Sequence, residues 1–287
     1  MVIERVGVVG CGLMGSGIAE VCARAGLDVV VREASPEAAE AGLARINTSL
    51  DRATRAGKLD DAGRAATLSH IRVTTDYGEL GDRDMVIEAV VESEELKAEV
   101  FGLLDKVVES DHAVLASNTS SIPIMKLGMA TGRPEAVVGI HFFNPVPVLN
   151  LVEVVTSLLT APATTEQAEA FATAQLGKRV VKSQDRAGFI VNALLIPYLL
   201  SAIRMLESGF ATAADIDTGM VEGCAHPMGP LHLADLIGLD TTMAVAESLY
   251  AEFKEPLYAP PPLLSRMVEA GLLGRKAGRG FYDYSKR

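Results

Sequence analysis

The chain has 287 residues, 49% of them hydrophobic, and a formal net charge of −11. This length suits two domains with sizeable cores, and the acidic balance argues against nucleic-acid binding, which requires clustered Lys and Arg. The first residues lack the features of a signal peptide, and the longest uncharged apolar stretch, residues 188–203, is too short to span a membrane.

The three cysteines also limit the possible functions. Cys11, Cys22 and Cys224 form no CxxC motif and have no histidine at metal-ligand spacing. We therefore expect no metal site, and we expect a cytoplasmic protein with reduced thiols. All three side chains are expected to be small, buried and apolar in character.

The first part of the chain alternates strands with helices. Strands are predicted at residues 5–10, 28–32, 85–90, 113–116, 137–141, 151–155 and 179–182. Helices are predicted at residues 13–25, from 35 onward, 48–58, 94–108 and 164–176. Parallel strands joined by crossover helices have this rhythm, so the pattern predicts a doubly wound, mostly parallel sheet.

The pattern changes after residue 185, where no further strand is predicted. Helices are predicted at residues 188–208, 213–223, 231–253 and 262–270. The sequence therefore predicts an α/β domain over residues 1–184, followed by an all-α domain over residues 185–287.

A glycine-rich turn follows the first predicted strand and opens the first helix. It reads GCGLMG, with the residues Gly10, Cys11, Gly12, Leu13, Met14 and Gly15. In a GxGxxG turn the first Gly makes the turn, the second lets a pyrophosphate approach and the third allows close helix packing. The helix N-terminus offers amide groups to the phosphates. The position predicts a Rossmann-type dinucleotide site, although a GxGxxG pattern alone is weak evidence.

An acidic residue follows the second predicted strand. Glu33 lies 18 residues after Gly15, where a carboxylate accepts hydrogen bonds from the adenosine ribose. Its charge would repel a 2′-phosphate, which favours NAD over NADP. Arg32 leaves NADP possible, because an arginine at this position can bind the 2′-phosphate. The alternative is that Arg32 faces solvent and has no role in cofactor selection.

Small polar residues follow the strand at 113–116. They are Ser117, Asn118, Thr119, Ser120 and Ser121. Ligands of open α/β sheets bind outside the carboxyl ends of the strands, so these side chains could hydrogen-bond a ligand. A polar turn that caps the following helix is an equally good interpretation.

A histidine ends the next strand. A returning strand could place Glu153 beside His141, giving a general base with an orienting carboxylate. A structural histidine beside an unrelated glutamate explains the pattern about as well. A serine hydrolase would need a GxSxG elbow, which the sequence lacks, so hydride transfer is favoured.

Six motifs occur in order along the chain: GCGLMGSGIA, ASNTSSIPI, HFFNPVPVLNLVEVV, GFIVNALLIPYL, HPMGPLHLADLIGLD and LGRKAGRGFYDY. Together they resemble the 3-hydroxyacyl-CoA dehydrogenase family, and within it the stand-alone bacterial 3-hydroxybutyryl-CoA dehydrogenases. The resemblance extends from Val6 to Tyr284. It implies reversible, NAD-dependent oxidation of an L-3-hydroxyacyl-CoA, most simply a short-chain one.

The resemblance also implies a role for each matching residue. His141 is the expected catalytic base, oriented by Glu153, while Ser120 and Asn192 contact the reacting group. Cofactor contacts are expected from Gly10, Gly12, Leu13, Met14, Gly15, Glu33, Glu92, Lys97, Asn118, Ser120 and Lys276. Substrate contacts are expected from Ser49, Arg55, Lys58, Ser120 and Asn144. The family further implies a homodimer formed through the helical domain.

The sequence departs from the family pattern at three positions. Ala193 stands where relatives often have Arg, Asn150 where they often have Lys, and Ala56 where a Lys contacts the CoA phosphate. Arg55 and Lys58 lie close to Ala56 and place positive charge where the CoA phosphates would bind, although a basic helix face is usually just solvated.

Two other functions stay open at this point. One is a CoA-independent dehydrogenase of hydroxy or sugar acids with the same fold, and the other is a non-catalytic NAD-binding protein. The joint presence of Ser120, His141, Glu153 and Asn192 argues against the second.

Overall fold

The computed structural model describes residues 2–285, and the chain divides into two compact units, Met1–Arg186 and Ala187–Arg287. The first unit is built around one eight-stranded sheet. Its strands are β1 (Arg5–Val9), β2 (Asp28–Arg32), β3 (Ile71–Thr74), β4 (Met85–Glu88), β5 (Val114–Ser117), β6 (Val137–Phe142), β7 (Leu151–Thr156) and β8 (Arg179–Gln184).

The sheet order is β3-β2-β1-β4-β5-β6-β7-β8. Every neighbouring pair is parallel except β6 and β7. Strands β4, β5 and β6 are buried along their whole length, as expected where helices cover both faces of a parallel sheet. The predicted doubly wound, mostly parallel sheet is confirmed, and its order reverses between β1 and β4, where such folds bind ligands.

Helices connect the strands of the first unit. They are α1 (Leu13–Arg24), α2 (Pro36–Arg55), α3 (Asp61–Ser69), α4 (Glu94–Val107), α5 (Ile124–Gly128) and α6 (Pro162–Ala170), the last continued by a wider helical turn at Phe171–Gln175. The Ser35 hydroxyl caps α2 by accepting the Ala38 amide at 3.2 Å, and Pro36 occupies the first turn, where its missing amide costs nothing. Of the helix predicted at residues 48–58, residues 48–55 form the end of α2, and residues 56–58 lie in the turn that follows.

Strand β3 was not predicted from the sequence. It has only four residues, Ile71–Thr74, none of them fully buried, and it pairs with β2 at the edge of the sheet. Short, half-exposed edge strands carry little of the apolar signal by which strands are recognised.

The second unit is helical. It contains α7 (Val191–Glu207), α8 (Ala213–Cys224), α9 (Pro230–Ile237), α10 (Leu239–Phe253) and α11 (Pro262–Glu269). Its core includes Leu199, Ile203, Leu231 and Leu249, all fully buried.

Two expectations about this unit are wrong. The single helix predicted over residues 231–253 is broken at Gly238, whose φ of 105° lies outside the range of a helix and favours glycine. Cys224 is exposed at the end of α8, whereas Cys11 and Cys22 are buried as expected. Among the described residues, no helix is both long enough and apolar enough to cross a membrane.

Candidate active site

The glycine-rich turn joins β1 to α1 and has room for a ligand on one side only. A side chain at Gly10 would lie 2.8 Å from the carbonyl oxygen of Ala89, and one at Gly15 would collide with the Gly10 carbonyl. A side chain at Gly12 would meet no atom within 4 Å. The turn is therefore closed against β4 and open over Gly12, at the N-terminus of α1, which fits a pyrophosphate.

Glu33 lies directly after β2 and reaches this turn. Its carboxylate accepts hydrogen bonds from the amides of Cys11 and Ala34. Arg32 turns elsewhere, because its guanidinium stacks 3.8 Å from the ring centre of Tyr77 and its Nε donates to the Thr75 carbonyl. The thiol of Cys11 contributes no nucleophile here, since burial raises its pKa to about 12.

The segment after β5 is organised around Glu92. One carboxylate oxygen of Glu92 accepts hydrogen bonds from the Thr119 hydroxyl, the Ser120 amide and the Ser121 hydroxyl. Burial raises the pKa of this carboxyl, but the Lys97 ammonium and the Thr119 and Ser120 hydrogen bonds outweigh it, so the net pKa is lowered. Glu92 therefore carries a stable negative charge beside Ser120.

His141 and Glu153 face each other across the only antiparallel strand pair among the described residues. They are register partners in β6 and β7, and His141 Nδ1 lies 2.7 Å from Glu153 Oε2. The side chain of Glu153 is 0% exposed and that of His141 is 8% exposed. A buried carboxylate at this distance fixes the ring orientation and stabilises the imidazolium.

Asn118 connects the Ser120 segment to the His141 strand. Its side-chain oxygen accepts a hydrogen bond from the Phe142 backbone amide at 2.9 Å, and the backbone amide of Asn118 donates to the Glu88 carbonyl. The carboxyl ends of β4, β5 and β6 are thus tied together, with Ser120 and His141 on adjacent strand ends. The contact with the cofactor expected of Asn118 stays a prediction.

The loop between β6 and β7 is held by a buried lysine. Lys178 donates to the carbonyls of Val146 and Leu149 at 2.7 and 2.8 Å, and burial lowers its pKa. Asn144, a candidate ligand contact, is exposed at the start of this loop. The sequence did not single out Lys178, because a lysine before a strand is usually solvated.

The candidate CoA contacts lie on α2 and the turn after it. Ser49 lies near the carboxylate of Glu20 on α1, where its side chain partly offsets the rise in the Glu20 pKa caused by burial. Arg55 is the last residue of α2 and its Nε donates to the Asp51 carbonyl, while Lys58 is exposed in the following turn. None of the hydrogen bonds described for them reaches the His141–Glu153 pair.

The remaining two candidates belong to the second unit. Asn192 lies in the first turn of α7 and is half-buried. Lys276 lies in a short helical turn, Arg275–Ala277, where its ammonium is 2.6 Å from the carboxylate of Asp240.

Comparison with known proteins decides the family. Residues 5–186 match the model of the 3-hydroxyacyl-CoA dehydrogenase NAD-binding domain, and residues 188–284 match the model of the C-terminal domain of the same enzymes. The chain belongs to the 3-hydroxyacyl-CoA dehydrogenase family. As a member of this family it is an NAD-dependent oxidoreductase.

Individual relatives cover the whole chain. A 3-hydroxybutyryl-CoA dehydrogenase of Mycobacterium tuberculosis is 59% identical over 98% of this chain and 99% of its own length. The crystal structure of FadB2 from M. tuberculosis matches with a TM-score of 0.98 and 59% identity over 99% of this chain and 100% of that one. The structure of (S)-3-hydroxybutyryl-CoA dehydrogenase PaaH1 from Ralstonia eutropha matches with a TM-score of 0.94 and 46% identity over 99% and 100%.

Proposed function

We propose that this dehydrogenase interconverts L-3-hydroxybutyryl-CoA and acetoacetyl-CoA. The observation that carries the proposal is the buried His141–Glu153 pair, 2.7 Å apart, at the sheet edge that also carries the glycine-rich turn and Ser120. The family supplies the reaction class. The preference for a four-carbon acyl group is supported by full-length relatives that bear the name of a 3-hydroxybutyryl-CoA dehydrogenase.

The proposed chemistry assigns a general base and its supports. Glu153 accepts a hydrogen bond from the Nδ1–H group of His141, so Nε2 is the basic nitrogen that removes the proton of the C3 hydroxyl. Ser120 donates a hydrogen bond to the oxygen on C3. The nicotinamide, when bound, supplies the acceptor of the C3 hydride. In the reverse direction the protonated His141 acts as the acid, and Glu153 stabilises its charge throughout.

Several residues are proposed to hold NAD. Gly10, Gly12 and Gly15, with the Leu13 and Met14 amides, receive the pyrophosphate at the N-terminus of α1. Glu33 would accept hydrogen bonds from the hydroxyls of the adenosine ribose. Among the other proposed contacts, Glu92 follows β4, Asn118 follows β5, and Lys97 lies in the first turn of α4 with its ammonium 3.3 Å from the Glu92 carboxylate. Asn192 and Lys276 keep the roles that the family resemblance implies, toward the reacting group and the cofactor respectively.

We also propose that NAD is preferred over NADP. The Glu33 carboxylate at the turn would repel a 2′-phosphate, and Arg32 is engaged by Tyr77 and the Thr75 carbonyl instead of facing that position. Glu33→Ala should weaken NAD binding roughly tenfold, the loss expected for hydrogen bonds to a charged group, and narrow the preference against NADP. Glu40→Ala, which removes an exposed acid of α2, is the control and should change neither the affinity for NAD nor the preference for NAD over NADP. Unchanged selectivity in the Glu33 variant would remove its ribose role.

The exposed face of α7 supports a homodimer. Ile190 precedes this helix, and Leu194 and Met205 lie on it, with 39%, 73% and 41% of their surface exposed. Apolar side chains on one exposed helix face are typical of an interface. Sedimentation analysis across a concentration series would test this part of the proposal.

The decisive experiment follows NADH absorbance after addition of acetoacetyl-CoA to the purified protein. Parallel reactions contain NADPH in place of NADH, or free acetoacetate in place of the thioester. We expect NADH to be consumed with acetoacetyl-CoA and not with free acetoacetate. The CoA portion is proposed to be held by Ser49 and by the exposed side chains of Arg55 and Lys58. Turnover with free acetoacetate but not with the thioester would assign a CoA-independent dehydrogenase, and these three residues would then lose their proposed role.

A further inference from the structure

A fully buried carboxylate terminates β4 at the ligand-binding edge of the sheet. Glu88 follows three apolar residues and is 0% exposed. One of its oxygens accepts the Val90 amide at 2.7 Å and the Lys97 ammonium at 2.6 Å, and the other accepts the Ser117 hydroxyl at 2.7 Å. Burying a charge is unfavourable even when it is paired, so this position is an unusual place for a glutamate.

Lys97 occupies a position that is unfavourable for a cation. It is 1% exposed and lies in the first turn of α4, where the helix dipole opposes positive charge. Two carboxylates surround its ammonium: Glu88 at 2.6 Å and Glu92 at 3.3 Å. The three charges form a chain from the buried end of β4 to the more exposed Glu92, which holds the Ser120 segment.

Glu88 therefore controls two connections to that segment. The first connection runs through Lys97, whose ammonium contacts Oε2 of Glu92. The other oxygen of Glu92, Oε1, accepts hydrogen bonds from the Thr119 hydroxyl and the Ser120 amide. Through Ser117 Glu88 acts from the other side, because the Ser117 hydroxyl also accepts the Thr119 amide at 3.1 Å. The connection through Lys97 and Glu92 reaches the Ser120 amide, and the connection through Ser117 reaches Thr119, the residue before Ser120.

We infer that Glu88 is a positioning residue that sets NAD affinity and turnover by fixing Lys97, Glu92 and the segment that carries Ser120. The inference rests on the proposed function, since it takes Ser120 and Glu92 to face the ligands. Glu88 itself is too deeply buried to touch them. It acts by holding a preformed arrangement, which removes the free-energy cost of ordering these groups when ligands bind.

The test compares two carboxylates at opposite ends of the same strand. Glu88→Gln keeps the shape and removes the charge. Asp84→Asn is the matched control: Asp84 precedes β4, accepts the Glu4 and Arg5 amides and pairs with the Arg5 guanidinium at 2.8 Å. It lies at the amino end of β4, whereas the proposed ligand site is at the carboxyl ends of the parallel strands. Both variants lose an ion pair anchored at β4, so both are expected to melt at a lower temperature.

The two variants are expected to separate in ligand binding. Glu88→Gln should weaken NADH binding, measured by fluorescence titration, and lower kcat/KM for acetoacetyl-CoA by roughly ten- to hundredfold, the range for lost hydrogen bonds to charged groups. Asp84→Asn should leave both within about twofold of the parent, a change of only a few tenths of a kcal/mol. If Glu88→Gln melts lower but binds and turns over like Asp84→Asn, the buried charge is purely structural and the inference is wrong.

A double variant tests whether Glu88 acts through Lys97. In the Lys97→Met background, adding Glu88→Gln should cost far less NADH affinity than it does in the parent, because contacting residues of one network are not additive. Full additivity would overturn the connection through Lys97.

If Glu88→Gln does not fold, Ser117→Ala removes the second connection alone and should also weaken NADH binding. NADH affinity equal to that of the parent in Ser117→Ala would contradict the inference. The titration needs no thioester, so a parent protein that binds NADH without reducing acetoacetyl-CoA would disprove the proposed function separately.

Discussion

Each unit of the molecule contains a histidine whose Nδ1 lies against a buried carboxylate, and only one of the two pairs has the surroundings of a catalytic site. In the sheet unit His141 is 2.7 Å from Glu153, and in the helical unit His232 is 2.6 Å from Asp217. The distances are nearly equal. The difference is what else each carboxylate does and where each ring lies.

Asp217 is mainly a helix cap. Its two oxygens accept the backbone amides of Leu231 and His232 in the first turn of α9, and also the Tyr282 hydroxyl at 2.9 Å. The His232 ring stacks on the Tyr282 ring with 3.7 Å between centres. This pair fastens the chain end to α8 and α9, within the helical unit.

Glu153 has a different setting. It lies within β7 and faces His141 across the strand pair, with Asn118 anchoring the neighbouring residue, Phe142. The site is at the carboxyl edge of the parallel strands, where this fold binds ligands. A histidine–carboxylate contact is therefore insufficient to identify a base, and its position in the topology supplies the missing criterion.

The largest expected effect comes from removing each histidine in turn. His141→Ala should lower kcat by about 10²–10⁴-fold, the usual contribution of a general acid–base group, and leave the NADH dissociation constant unchanged. His232→Ala should leave kcat within about twofold, since its pair is structural. Steady-state kinetics with acetoacetyl-CoA and NADH titration of both variants make the comparison. Equal rate losses in the two variants would contradict the distinction drawn between the pairs.

The next effect comes from neutralising each carboxylate. Glu153→Gln should lower kcat at least roughly tenfold while changing KM little, because a charge-assisted hydrogen bond to the imidazolium is lost. Asp217→Asn should instead lower the free energy of unfolding by about 1–3 kcal/mol, the penalty for disturbing a buried hydrogen-bonded acceptor. Denaturant unfolding and kinetics on the same preparations separate the two outcomes. A kinetic defect without a stability defect in Asp217→Asn would show that the helical pair has a functional role.

The sequence predicted the parts of this picture that depend on local patterns. Runs of apolar residues ending in glycine or small polar residues predicted seven of the eight strands formed by the described residues, and the family resemblance is confirmed. The strand at Ile71–Thr74 escaped because it is short and half-exposed. The break at Gly238 was not predicted because apolar residues at helical spacing, Leu236, Leu239 and Met243, continue across it.

Tertiary pairing of charges could not be predicted in the same way. The sequence allowed a returning strand to bring Glu153 to His141, and the structure brings them to 2.7 Å. Glu88 gave no comparable signal, because a glutamate at a strand end is usually solvated and nothing local shows that Lys97 is buried beside it. Burial of an ion pair depends on how α4 packs over β4, which no single-residue pattern contains.

The smallest expected effect concerns Glu20, another buried carboxylate, which pairs with no histidine. It is 1% exposed on α1, one of its oxygens has no hydrogen-bond partner within residues 2–285, and burial raises its pKa despite Ser49 and Arg24. A raised carboxyl pKa means that the folded state binds the proton more tightly than the unfolded state. Stability is therefore full below the ordinary carboxyl pKa and falls as pH rises through the folded-state value.

Glu20→Gln removes this titration and should stabilise the protein at neutral pH by no more than about 1 kcal/mol, with no gain at pH values below the ordinary carboxyl range. Thermal unfolding of the parent and the variant across that pH range measures the difference. A gain that is independent of pH would mean that Glu20 is already protonated throughout. A loss at neutral pH would mean that Arg24 and Ser49 stabilise the ionised carboxylate of Glu20 by more than its burial costs, so that burial alone does not decide the charge of a carboxylate on α1.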